Sequence, residues 1–159
     1  MGHKEDSPIW RTLILGAIAG SRSMAAPATL SRAVSDGRVD GLGDTPFAIL
    51  GSPGVSTALR IMEIGELVVD KLPGAPSRTS PPPLLGRAAS GGLVGAALFA
   101  SEDRRSLVGG ALGAAAALAS AYAGERLRLQ AAEKLGMPDP TVALLEDGLV
   151  LLAGSRLLR

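Results

Sequence analysis

The run Ser106 to Gly124, SLVGGALGAAAALASAYAG, carries no charged side chain and is built almost wholly of Gly, Ala and Leu. An uncharged stretch of about 18 residues is long enough to cross the hydrocarbon core of a bilayer as a helix. The rest of the chain uses the same materials. Glycine makes up 21 of its 159 residues, hydrophobic residues 47% and aromatic residues only 3%. A soluble core draws much of its buried area from Phe, Tyr and Trp. Helices in lipid depend instead on close backbone approach through small residues. The composition therefore predicts an all-α integral membrane bundle forming one domain, with the lipid bilayer as its first partner. A soluble, Ala-rich helical protein is the competing reading.

Five segments follow from the runs and breaks: residues 9–34, 46–72, 84–101, 106–130 and 141–158. The first is helical with Pro27 as its kink. The second is interrupted by GSPG (Gly51 to Gly54). The stretch PGAPSRTSPPP (Pro73 to Pro83) reads as a rigid, extended connector and not as helix. Pro140 opens the fifth helix at a position that suits proline. Arg11, the apolar run after it and SMAAPA mimic a cleaved signal peptide. Arg22, just before the supposed cleavage site, does not suit that reading.

GxxxG pairs occur in three different segments: Gly16 with Gly20, Gly91 with Gly95, and Gly109 with Gly113. They predict tight helix–helix packing. An ungapped internal match lays Leu13–Val34 over Leu107–Arg128, with Gly16 on Gly110 and Arg32 on Arg126. Met62–Val69 likewise matches Leu145–Leu152, with Glu63 on Glu146. Helices 1 and 2 would then repeat as helices 4 and 5. The three-helix offset sets the copies in opposite orientations, an inverted repeat.

Charge is sparse but oddly placed. Thr12 to Ser21 is uncharged, then comes Arg22, then Ser23 to Ser31 is uncharged again. In the second segment Arg60, Glu63, Glu66 and Asp70 recur at three- and four-residue steps and so share a helix face. Arg87 opens the third segment, and Glu146 and Asp147 the fifth. Charges at membrane depth face a bundle interior or water and pair with one another. These eight residues are therefore read as one polar core, with Arg22 opposite a carboxylate of the second helix and Glu66 the first choice. Acids outnumber bases among them, and carboxylates left over at depth would be protonated or would bind a cation. A solvated face on a surface helix would give the same stripe, and a closed network would merely lock the bundle.

The function this favours is transport or conduction of an ion or small polar solute. The alternative is an accessory or scaffold subunit of a membrane complex. Homo-oligomerisation would suit either. Enzyme chemistry is not expected: no nucleophile elbow, P-loop or HExxH is present, and with no cysteine there is no thiol nucleophile or disulfide. No cofactor or metal is implied, His3 reads as a solvated tail residue, and a net charge of +1 gives no reason to expect nucleic acid. The basic residues, sorted over five spans, lean towards a cytoplasmic N-terminus in a bacterial inner membrane. Lys4, Arg11, Lys71, Arg78, Arg87, Arg126, Arg128 and Lys134 would lie inside, and Arg32, Arg38, Arg104, Arg105, Arg156 and Arg159 outside.

The motifs GAIAGSRSMAAPA, GELVVDKLPGAPSRT and GRAASGGLVGAAL together resemble a bacterial membrane-protein family catalogued as domain of unknown function 4126. The likeness runs from about Leu13 to the C-terminus. Its most specific part is Glu66, Asp70, Lys71, Pro73, Pro76, Ser77 and Arg78, followed by Arg87, Ser90 and Gly91. It implies a small multi-pass membrane protein and carries no activity with it.

Overall fold

A computed structural model describes residues 8–69 and 80–135, and these are helical apart from their connections. The helices are α1 (Pro8–Ser21), α2 (Ala25–Ser35), a 3-10 helix (Pro46–Gly51), α3 (Pro53–Val69), α4 (Pro81–Ala100) and α5 (Ser106–Leu135). The fifth predicted segment, 141–158, lies outside the described residues, as do His3, Lys4, Asp70, Glu146 and Asp147.

The frame of the molecule is α1, α4 and α5, and glycine sets how closely they meet. A Cβ on Gly16 would stand 2.7 Å from the carbonyl oxygen of Gly113. A Cβ on Gly20 would run into the Ala117 carbonyl, one on Gly91 into that of Gly113, and one on Gly95 into that of Gly109. Gly109 and Gly113 meet Gly95 and Gly91 in return. All six glycines singled out from the sequence therefore stand where one helix backbone lies directly on another. On α5 the buried positions fall every fourth residue, at Gly109, Gly113, Ala117 and Ala121, a stripe narrow enough for two neighbours to close on.

These contacts also give directions. Along α1, Thr12 faces Gly95 while Gly20 faces Arg87, so α4 runs antiparallel to α1. Gly16 faces Gly113 and Gly20 faces Ala117, so α5 runs parallel to α1. The inverted relation expected between the first and fourth segments is therefore not present in α1 and α5. The matched sequence reflects the shared need for small residues on helices that pack side by side.

The first segment is not one helix kinked at Pro27. It breaks at Arg22–Ser23–Met24, and Pro27 sits in the first turn of α2, where its missing N–H leaves no bond unmade. The chain also turns back there. Beyond α2, Gly41 lies against the carbonyl of Ser101, at the far end of α4 from Arg87. That end is about 21 Å below the break at 1.5 Å per residue. Had α2 continued upward from α1, the six residues after Ser35, about 20 Å at full stretch, could not have come back so far. α1 and α2 thus form a hairpin. Gly37 and Gly41, both with left-handed φ (67° and 82°), shape the turn that leaves it. This reversal regroups the basic residues: Arg11 now shares an end of the bundle with Arg32, Arg38, Arg104 and Arg105, and not the opposite end as the five-span sorting expected.

One proline signal also acts differently from its sequence reading, while the start at Pro46 and the interruption at Gly51–Gly54 are both present. Pro81–Pro83 form the first turn of α4 after Ser80 and are not part of an extended connector. Nothing is lost, because the first-turn amides have no intrahelical partner anyway. Pro46 opens the 3-10 helix, with Thr45 Oγ1 accepting from Phe47 N at 3.2 Å, and Pro53 opens α3. The core between the hairpin and α4 is Leu15, Ile18, Ala26, Leu30, Leu42, Leu50, Val94 and Leu98 with their small neighbours.

Candidate functional site: a charged collar around the helix break

The break between α1 and α2 creates two orphaned ends at one level of the bundle. The last carbonyls of α1 and the first amides of α2 lose their intrahelical partners there. Both ends are met by charged side chains from other helices. Arg87, on α4 and only 3% exposed, donates from Nη1 to the Gly20 carbonyl at 2.9 Å. Glu66, on α3, accepts with both oxygens: Oε1 from Ser23 N and Ser23 Oγ, and Oε2 from Met24 N, each at 2.8 Å. Met24, the N-cap residue of α2, has no side-chain cap of its own, so the carboxylate of α3 caps α2 from outside. A cation at a helix C-terminus and an anion at an N-terminus both complement the helix dipole. A further α1 carbonyl, that of Ala17, accepts from Ser120 Oγ of α5 at 2.8 Å.

Arg22 lies in the break itself and is 5% exposed, so a guanidinium is buried at the centre of this collar. Its charge, and those of Glu66 and Arg60, act on the Glu63 carboxylate, one turn below Glu66 on α3. Glu63 and Glu66 are half-buried and face inward, whereas Arg60 is exposed. The predicted shared face of α3 is therefore narrower than expected: it presents Leu59, Glu63 and Glu66 to the bundle and turns Arg60 away.

Of the eight predicted polar-core residues, the described structure gathers Arg22, Glu63, Glu66 and Arg87 around one turn and leaves Arg60 at its edge. Asp70, Glu146 and Asp147 lie outside the described residues. The bonds that Glu66 makes go to Ser23 and Met24, one and two positions past the arginine expected to meet it. Sequence reasoning missed Ser23, Ser120 and the Gly20 carbonyl. A signal for the first was present in SRS, three polar residues that interrupt two apolar runs and would be the natural place for a helix to stop. Ser90, 6% exposed, lies one turn along α4 from Arg87 and was quoted only as part of a motif. Among the described residues no three His, Asp or Glu side chains come together as a metal site.

The outside of the molecule is the reverse of this interior. Ile61, Met62, Ile64, Val68 and Val69 on α3, Leu85 on α4, and Leu107, Leu127 and Leu129 on α5 are all exposed. Among the described residues two helices, Pro81–Ala100 and Ser106–Gln130, are long and apolar enough to cross a membrane.

Comparison with curated proteins and with solved structures returned no match. A family described as domain of unknown function, DUF4126, matches residues 9–155. With its motifs distributed over all but the ends of the chain, this protein is a member of the DUF4126 family.

Proposed function

We propose that this chain is an integral protein of a bacterial inner membrane, and that its charged collar is the passage or binding point for an ion or small polar solute. The observation that carries this reading is the inversion of polarity. Arg22 and Arg87 are buried, while Leu107 at 87% and Ile61 at 64% are exposed. Water-soluble proteins bury such leucines and expose such arginines. Lipid demands the opposite and leaves charge only where it is paired or lines a polar interior. Irregular backbone at membrane depth is tolerated where protein or a polar cavity satisfies it, and transporters place ligand sites at such helix breaks. The collar supplies this setting without needing an inverted repeat. Its residues are read as binding and positioning groups, with no catalytic step assigned.

The test is flux in reconstituted liposomes carrying an entrapped pH dye, with imposed proton, sodium and potassium gradients. Flux above that of protein-free vesicles, lost in Arg22→Ala at equal incorporation, is the expected result. No flux of these ions, together with retention of a stoichiometric partner on mild-detergent purification, would transfer the assignment to an accessory subunit. The exposed apolar face of α3, which buries no residue fully, is the observation favouring that second reading.

A further inference from the structure

The helices of the hairpin and frame are anchored by buried side chains, but α3 is not. α1, α2 and α4 each bury at least seven residues, and α3 buries none. It packs chiefly on α2 and on the 3-10 helix before it. Where it leaves that helix the chain is extended at Ser52 (φ −75°, ψ 138°), followed by Pro53, so helical structure is interrupted at the junction. At its other end α3 is fastened to the hairpin, among the described residues, through the Glu66 carboxylate and its three bonds to Ser23 and Met24. A helix that buries none of its residues fully and is tied to its neighbours at that end through a surface-reaching carboxylate belongs to the low-stability part of a fold.

We infer that α3 is a movable helix hinged at Ser52 and latched by Glu66, and that opening the latch uncovers the Arg22 turn. The two states differ in what caps α2. Closed, the Glu66 carboxylate satisfies the Ser23 and Met24 amides. Open, water or an incoming anionic or polar group takes its place on the same amides. The latch rests on the proposed passage only for what the opening admits; the motion itself needs no transported solute.

The absence of cysteine allows paired spin labels to be placed without background. One pair, Met62→Cys with Tyr122→Cys, spans from α3 to α5 at exposed positions. A control pair, Trp10→Cys with Leu107→Cys, spans α1 and α5, also at exposed positions. Pulsed electron paramagnetic resonance on the full chain in detergent should give one narrow distance for each pair. With Glu66→Ala added, the first pair should gain a second population displaced by about a helix diameter, ~10 Å, while the control stays narrow. Glu66→Gln, which keeps an acceptor oxygen, should show a smaller second population. An unchanged first pair would overturn the latch, and so would broadening of both pairs together, since Glu66 would then hold the whole bundle. Loss of ion flux with a normal latch, or the reverse, separates this inference from the proposed function.

Discussion

Glu66 gives up its freedom to two residues in the break between α1 and α2. A hydrogen bond to an ionised group contributes about 1.5–3 kcal/mol, and the cost of losing one is greatest when the partner is left unsatisfied. Glu66→Ala strands two backbone amides and a hydroxyl, and we expect about 2–4 kcal/mol of lost stability from it. Ser23→Ala removes only the hydroxyl and should cost about 1 kcal/mol. Because both changes act on one carboxylate, the double variant should lose less than the sum of the two, with a coupling of about 0.5–3 kcal/mol. Thermal unfolding in detergent of the four proteins checks this, and strictly additive losses would show that the two side chains do not share a bond. The carboxylate was legible in the sequence as an inward-facing group meant for Arg22, since its helical spacing sets it on the charged face. Its bonding atoms were not, because periodicity gives the face a residue occupies and says nothing of backbone amides freed on another helix. Arg60 shows the converse error: the spacing that groups it with Glu63 is correct along the helix, yet the bundle covers only a narrow part of that face.

Among the elements, the glycines divide into those that touch and those that do not. Gly113 lies on the backbone of Gly91, so a methyl group there must push α4 and α5 apart. Gly65 on α3 has nothing within 4 Å of an added Cβ. We expect Gly113→Ala to destabilise by about 1–3 kcal/mol through overpacking. Gly65→Ala should be neutral or stabilising by up to about 1 kcal/mol, the difference in helix propensity between the two residues. Followed by circular dichroism, Gly113→Ala must lower the melting temperature and Gly65→Ala must not, or the contact model of the frame is wrong. GxxxG spacing made this packing readable, because the motif states a distance between helix surfaces. The hairpin was not readable in the same way. Pro27 was the louder local signal, yet in a first helical turn proline is harmless, and the actual stop is made by Glu66 and Arg87, which lie far away in the chain. The same logic hid the start of α4 in a run of prolines.

Taken whole, the described part of the molecule buries two arginines beside its apolar core and leaves large apolar side chains exposed on α3, α4 and α5. We expect it to sediment with membranes, to stay there through an alkaline wash, and to be released by detergent. Recovery as a monodisperse protein without detergent would end the membrane reading and the functional proposal built on it. The hairpin has a consequence for how such a chain is made. At 1.5 Å per residue α1 is about 21 Å long and α2 about 16 Å, both short of a ~30 Å hydrocarbon core, whereas α4 reaches about 30 Å. During synthesis the two short helices emerge ahead of α3 and α4, which carry the side chains that shield their polar turn. A translocon that releases segments singly into lipid would strand Arg22 with neither Glu66 nor Arg87 yet made. On the proposed membrane reading, the hairpin is then expected to wait, held at the protein-conducting channel or at the membrane surface, until α4 arrives with the arginine that closes it. On that reading, insertion closes from α4 back to α1.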